Sequence, residues 1–415
     1  MKDSIKLLSI PREKYSDYRY KVIFHCFKWD PQVGDTNTIA EEVVVLSPPT
    51  AKNLAQWAER LAAETLLLEE KLLNQPSLYK ELGLSNEIRK ALSFAKDYSS
   101  KNHVRLMRFD FHPTQEGWSI SEVNSDVPGG LAEASILPKL AAGLFKGLKP
   151  CEDLGKSMGD AFVSHLNPNS RLAFIHATSY SDDRQVMEFL KNHFEDMGFR
   201  SVVIGPDHIH WHNGEARCIA LGQEGKVDGL IRFFPAEWLP SLPKNSNWSG
   251  YFATNLLSCN HPTALLTQSK RLPLVWEKLD VSVPTWQELL PQTLDPRKVN
   301  WKKDGWILKP AFGRVGESIT IPEVISKKEL KKIEWSARLY PNQWVAQQCF
   351  KSLPIPSAKG IRHLCIGVFT VNGQAAGFYG RISSYPRIDL KAQDIAILVS
   401  EEEEDVHGRN ETFNI

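Results

Sequence analysis

Apolar and polar positions change period several times along this chain. RYKVIFHCF (19–27) and EEVVVLS (41–47) are short apolar runs, which predicts strands. KNLAQWAERLAAETLLLEEKLL (52–73) repeats apolar residues at helical spacing behind a Ser47-Pro48-Pro49-Thr50 start signal, which predicts a helix. A second helix is predicted over 86–98. VRLMRFDF and WSISEV then read as strands, and Pro113-Thr114-Gln115-Glu116-Gly117 between them has turn chemistry, so the pair is expected to form a hairpin. Helices near 131–146 and 151–165 follow, and Asn167-Pro168-Asn169 interrupts the pattern.

From residue 171 the order is strand, helix, strand: RLAFIHA, DDRQVMEFLKNHFEDMG ending on a glycine, then FRSVVIG. Ser181 is the expected cap of that helix. CIALG and GLIRFF add two short strands. This βαβ-like unit predicts a Rossmann-like subdomain; it has no GxGxxG, so nothing points to dinucleotide binding. Beyond Thr263 come WILKP, AFGRVGESITI, a helix near 326–338, and strands near 343–349, 361–371 and 374–381. No internal repeat is visible. Four regions result: 1–166, 167–260, 261–342 and 343–415, the last ending in an acidic run, EEEED (401–405), read as solvated.

One feature of the hairpin does not suit an ordinary strand pair. Arg108, Asp110, Glu122 and Asn124 all occupy even positions, so each pair shares a face of its strand. With an even register sum such as 232, Asp110 stands opposite Glu122 and all four lie on one face, while Phe109 and Phe111 turn to the core. A slip of one residue would split the set. Two carboxylates and an amide oxygen suit a hard cation such as Mg²⁺, and an arginine beside them suits a phosphoryl group. A solvated face of cross-strand polar pairs would have the same pattern.

Composition narrows the partners. The 415 residues are 42% apolar and 24% charged, as in ordinary soluble proteins, and net charge is +1. Bulk charge therefore does not drive binding to nucleic acid or an anionic membrane, though a local basic site for a small polyanion stays open. No apolar run approaches the roughly 20 residues that span a bilayer, and the first 20 residues hold no leader-type apolar stretch. Six cysteines are scattered without a CxxC pair, which predicts a reduced, cytoplasmic protein rather than a disulfide framework or structural zinc site. Cys26 and Cys365 sit in apolar runs and read as inert. In HIHWH (208–212) the three histidines share a face if the stretch is a strand, but no acid supports a metal there, so they read as edge or loop residues.

A second candidate site is GWILKPAFGRVGESITI (305–321). A strand ends in Lys309-Pro310, and Gly313, Arg314 and Gly316 follow. Glycines let backbone N–H groups approach phosphate, and the two cations add charge. The Walker pattern is absent, and a plain hairpin with basic flanks would read the same way.

Taken together, Arg108-x-Asp110, Glu122-x-Asn124-x-Asp126 and Lys309-Pro310-x-x-Gly313-Arg314-x-Gly316 resemble the synthetase region of the glutathionylspermidine synthase family, within the ATP-grasp superfamily. QSKRLPLVW (268–276) resembles the family's lysine segment, VAQQCFKSLP (345–354) its Gln…Leu-Pro strand, and IGVFTVNGQAAGFYGR (366–381) its closing strands. The matches run in order from about 105 to 381. The resemblance implies an α+β/α/β fold: a circularly permuted ATP-grasp core carrying the metal-site hairpin, an inserted Rossmann-like, pre-ATP-grasp-like subdomain, and a β-rich nucleotide lid over 261–342. It implies an ATP-dependent ligase that joins a small-molecule carboxylate to an amine (a polyamine, amino acid or peptide) through an acyl phosphate. It also implies roles. Asp110, Glu122 and Asn124 would hold Mg²⁺, as two ions. Arg108, helped by Arg381, would stabilise the transferring phosphoryl group. Lys270, Lys309, Gly313, Arg314 and Gly316 would bind ATP phosphates, with Gln347 or Gln348 at the nucleotide.

Three departures stand out. Val315 and Ile382 occupy positions where the family usually has acids, and Val127-Pro128-Gly129-Gly130 follows the hairpin where glutathione-using members carry hydroxyl residues. The last implies a carboxylate other than glutathione. Asp126 is expected to support the metal site or touch substrate. The amidase domain of bifunctional members is not expected. A catalytically degenerate nucleotide binder acting through a partner, and a transferase that stops at phosphorylation, are the competing readings.

Overall fold

The computed structural model describes residues 4–29, 31–212, 215–302, 305–313, 319–320 and 325–401. The acidic run beyond 401, Arg314, Val315 and Gly316 lie outside them.

Among the described residues the largest sheet has nine strands. Its main path runs Ile5–Ser9, Ile39–Leu46, Gln393–Ser400, Gln374–Ser383, Gly360–Val371, Leu106–Thr114, Gly117–Asn124. Neighbours are antiparallel except Ile39–Leu46 beside Gln393–Ser400, which is parallel. These two strands are near-continuous in apolar residues because both faces are covered. Val44, Leu46, Ile395 and Ile397 pack toward the helix Pro48–Leu73, through Leu54, Leu61 and Leu68. Val43, Val45, Ala396 and Leu398 pack the other way, against Leu131 and Leu137 of the helix Leu131–Ala142 and Met158 and Phe162 of Leu154–Val163. Phe109 and Phe111 are fully buried on the first face, near Trp286 and Trp57, as their odd positions require.

A second sheet is parallel throughout, in the order Leu257–Cys259, Gly229–Phe233, Arg171–His176, Arg200–Ile204. The helix Ser181–Asp196 links Arg171–His176 to the edge strand Arg200–Ile204, so the βαβ unit read from 171–204 is present. A third, antiparallel sheet, Thr293–Leu294, Trp344–Gln348, Trp306–Pro310, has its own small core with Ile333 and Ala337 of the helix Lys327–Leu339. Asp126 and Arg232 form a fully buried ion pair that ties the end of the hairpin to the parallel sheet. Arg271 ties the third sheet to the rest through Asp295 Oδ2 (2.9 Å) and the Trp344 carbonyl (2.6 Å).

Several local expectations need correction. RYKVIFHCF is not a strand. Residues Arg12–His25 form a helix that starts after Pro11 and buries Tyr18 and Val22, four apart, toward the helix Leu131–Ala142. A short apolar run does not distinguish the two periods by itself. The helix expected to 98 ends at Leu92. Ser181 is the first helical residue rather than the cap; Tyr180 precedes it without a capping side chain. The strand expected at CIALG lies earlier, at Glu215–Cys218. His208 sits in a turn, and only His210 and His212 share the exposed face of Ile209–His212.

Candidate functional site

The hairpin gathers its polar residues by a route the simple register missed. Arg108 pairs with Asn124 and Phe109 with Val123, a sum of 232, but Phe111 pairs with Ile120, a sum of 231. The bulge between them sets Ser121 and Glu122 against Asp110 alone, so a uniform register with Asp110 directly opposite Glu122 does not occur. A bulge re-aims the side chains it carries, and here it lets Glu122 reach the same cleft as Asp110 and Asn124.

Arg108 and Asp110 form a fork: Nε donates to Oδ1 at 2.7 Å and Nη2 to Oδ2 at 2.9 Å. Asn124 Nδ2 donates to the same Oδ2 at 3.1 Å, and Arg108 Nη1 donates to the Gly129 carbonyl at 2.5 Å. The guanidinium lies 5.2 Å from the Tyr379 ring centre. Room for its stem comes from Gly367, the register partner of Asp110: a Cβ there would lie 2.6 Å from Arg108 Cδ.

Glu122 Oε2 meets Lys270 Nζ at 2.7 Å, and that ammonium also donates to the Gly313 carbonyl at 2.6 Å. Lys309 Nζ donates to Gln347 Oε1 at 2.6 Å and to the Ser121 carbonyl at 3.2 Å. Ser121 Oγ and His112 Nε2 stand 3.1 Å apart, which pins the bulge from the other side. Burial works against the Glu122 charge, yet Lys270, Lys309 and Arg108 hold its carboxyl below the ordinary range. Burial, with Lys309 adding, lowers His112 to about 3, so its imidazole is neutral.

Burial pulls Lys309 down to about 8, with Glu122 opposing and Lys270 assisting. The folded value lies below the unfolded one. Between about pH 8 and about 10.4 the unfolded chain thus binds the extra proton. Stability of the parent relative to Lys309→Met is therefore expected to rise with pH across that window. Urea unfolding of both proteins at pH 7.5 and 9.5 tests it; a difference that falls or stays level refutes the assignment.

Across the cleft, Arg381 pairs in register with Asp394 on the neighbouring strand. Its Nη2 donates to the carbonyls of Asp389 (2.7 Å) and Ala392 (3.0 Å). Tyr379 Oη donates to Asp394 Oδ1 at 2.6 Å, and Lys28 Nζ bridges Asp394 (2.6 Å) and Glu133 (2.8 Å). Burial raises the Asp394 carboxyl, but Lys28 and Arg381 outweigh it and the net direction is down.

A cleft of about 1770 Å³ takes in Arg108, Asp110, Glu122, Asn124, Lys309 and Arg381 together. Lys270, Gly313 and Gln347 join this set through the hydrogen bonds above. Gln348 does not: it is exposed, and its backbone N–H donates to the Gln292 carbonyl. Arg314 and Gly316 lie outside the described residues. Asp126 does not touch the cleft; both its oxygens are taken, by Arg232 and the Ala236 N–H. Ile382 is buried in the main core, facing away from Arg381. The acid beside Arg381 comes instead from Asp394.

Among the described residues no group of three His, Cys, Asp or Glu side chains gathers as a ready-made metal site. The hairpin offers two carboxylates and an amide, and each carboxylate is balanced by a cation. That set fits a hard divalent ion that completes its shell with phosphate oxygens, since phosphate would also engage the cations. Cys26 and Cys365 line the same cleft, but burial pushes both thiols well up.

Four cleft residues were not anticipated: Lys28, Tyr379, Glu133 and Asp394. Lys28 follows a helix mistaken for a strand. Asp394 opens a strand, QDIAILVS, whose apolar run was a usable signal. Nothing in the sequence places Glu133 beside Lys28.

Known proteins resemble this chain over most of its length. The family model described as glutathionylspermidine synthase pre-ATP-grasp matches residues 10–391. A Haemophilus influenzae protein, named provisionally an acid–amine ligase, is 23% identical over 281 residues, which are 65% of this chain and 68% of that one. A solved structure of a glutathione synthetase-like effector from Globodera pallida, in apo form, covers 93% of this chain and 96% of its own at a TM-score of 0.64 and 12% identity. At that identity the likeness establishes a shared mixed α/β fold and nothing finer. Among the described residues no helix is long and apolar enough to cross a membrane.

Proposed function

From the glutathionylspermidine synthase family, to which this chain belongs, we propose that it is an ATP-dependent carboxylate–amine ligase forming an amide through an acyl phosphate. The observation that carries this is the meeting of Arg108, Lys309 and Lys270 with Asp110, Glu122 and Asn124 in one large cleft. Phosphoryl transfer asks a protein for position and charge neutralisation more than for covalent chemistry, and this cluster offers both.

Asp110, Glu122 and Asn124 would hold Mg²⁺, as two ions, which would neutralise phosphate charge. Lys309 and Lys270, with Gly313, Arg314 and Gly316, would bind the phosphates, and Gln347 would lie at the nucleotide. Arg108 would face the transferring phosphoryl group, with Arg381 beyond Tyr379 assisting. Phosphate oxygens would compete for Lys270 and Arg108, leaving Glu122 and Asp110 free as oxygen donors. The chain then reads as a permuted ATP-grasp core, with the parallel sheet as a pre-ATP-grasp-like insert and the third sheet as the nucleotide lid. The acid partner differs from glutathione in this reading. Residues 127–130 carry no hydroxyl side chain, the Gly129 carbonyl is already held by Arg108, and Gly130, at φ +87°, packs so close to Tyr379 that a Cβ would lie 2.8 Å from its ring.

The test is thermal stability with ATP, with and without Mg²⁺, on the parent and Glu122→Gln. At 100 times its Kd a ligand stabilises by roughly 2.7 kcal/mol. A Mg²⁺-dependent upward shift is expected in the parent and absent in the variant. No shift in the parent at millimolar Mg-ATP would sink the proposal. ADP release that needs both an acid and an amine then separates a ligase from a transferase.

A further inference from the structure

The far end of the cleft holds charges that the nucleotide and metal residues do not use. Lys28 enters it from segment 26–38, whose Cys26, Gln32, Val33 and Thr38 also line the wall. Its ammonium sits between Asp394 Oδ2 and Glu133 Oε1, with the lysine side chain 18% exposed and the acids 6% and 14%. The segment is fixed at both ends. The Trp29 N–H donates to Gln185 Oε1 at 3.0 Å, and the Asp394 N–H donates to the Thr38 carbonyl at 2.7 Å. Two buried acceptors here have no partner among the described residues: Glu133 Oε2 and Thr38 Oγ1, the latter on a residue only 8% exposed. Buried polar atoms usually have a partner, whether protein, water or ligand, so both can accept a hydrogen bond from a bound molecule.

This end is coupled to the reacting end through Tyr379, with Arg381 Nε also 3.9 Å from Asp394 Oδ1. Arg108 lies against the Tyr379 ring, and the Tyr379 hydroxyl donates to Asp394. An amine whose nitrogen reacts near Arg108 would therefore place its tail about one tyrosine ring away, at Glu133 and Asp394. A second ammonium on that tail would find both acids already neutralised and a like charge beside them. Its desolvation would go uncompensated. A tail ending in a hydroxyl or amide would instead donate to Glu133 Oε2 or Thr38 Oγ1.

We propose that Lys28 is a specificity-determining residue. It is a tethered ammonium that fills the cation subsite of Glu133 and Asp394 and so restricts the acceptor to amines with one cationic group. The proposal rests on the ligase reading above for the identity of the substrate, but its test needs no turnover. Binding of 1,4-diaminobutane and of butylamine is measured by thermal shift and tryptophan fluorescence, without ATP, on the parent, Lys28→Met, Lys28→Arg and Lys28→Met/Asp394→Asn. Lys28→Met is expected to bind the diamine at least tenfold more tightly than the parent. Lys28→Arg should behave as the parent, and the added Asp394→Asn should remove the gain. A diamine affinity in Lys28→Met within twofold of the parent overturns the proposal. If Lys28→Met does not fold, the parent alone decides: preference for the diamine over butylamine overturns the proposal, and the reverse order supports it. Failure of every acid–amine pair to release ADP would remove the ligase reading and leave these binding results standing.

Discussion

Arg108→Lys is expected to lower kcat for ADP release by 10²–10³-fold while the protein stays folded. The magnitude is typical of losing one aligned donor to a developing anion. The substitution keeps the positive charge, so Asp110 is not left alone in a buried site. What it removes is the planar fork: the paired donation to Asp110, the bond to the Gly129 carbonyl and the stacking on Tyr379. An ammonium can still donate to single oxygens, but it has neither the planar fork nor a flat face to lay on the Tyr379 ring. A loss concentrated in kcat, with KM for ATP changed by less than about threefold, marks a group that acts on the transferring phosphoryl. A kcat within fivefold of the parent would take Arg108 out of that role and leave it as a structural partner of Asp110.

Glu69→Ala is expected to destabilise the fold by about 3–5 kcal/mol, the usual cost of stranding one half of a buried ion pair. Arg105 and Glu69 meet at 2.8 Å with side chains only 2% and 1% exposed. Glu69 also accepts from Tyr98 Oη at 2.7 Å, and Arg105 Nη1 donates to the Ser125 carbonyl at 2.5 Å. Burial opposes the Arg105 charge, and Glu69, with Tyr98 and Asp126 adding, more than restores it. Without Glu69 that cation stays buried with only carbonyl and hydroxyl oxygens bonded to it. Urea unfolding measures the loss. The double variant Glu69→Leu/Arg105→Met should recover most of it, because removing both partners leaves no charge stranded. A single-variant cost below 1 kcal/mol would mean that solvent reaches Arg105. Because Ser125 follows Asn124, the same variant also tests whether this network holds the end of the hairpin in place.

The even positions of Arg108, Asp110, Glu122 and Asn124 were legible because a strand has a period of two, and so were Phe109 and Phe111 behind them. The bulge was not, since Ser121 carries no turn signal; it is held by His112 and Lys309, which are brought there by tertiary structure. Lys270 and Gln347 could be named but not placed. Each depends on a partner, Glu122 or Lys309, that is far away in sequence. The helix Arg12–His25 shows the opposite failure. Its apolar residues suit either period, and the choice is made by packing against residues 131–142. Gly367 looked like any glycine in a strand. Its use appears only where the Arg108 stem crosses it.

The strand Gln393–Ser400 lies inside the main sheet, between Ile39–Leu46 and Gln374–Ser383. During synthesis the apolar strand Ile39–Leu46 must wait for some 350 further residues before its parallel neighbour exists. Pairings that distant in sequence form slowly, and an unpaired apolar edge left open meanwhile invites association with other chains. Closure of this sheet around Arg381 and Asp394 is thus expected late in folding. Nascent chains arrested before residue 393 should be protease-sensitive and dependent on holding chaperones, even with the hairpin and the parallel sheet already made.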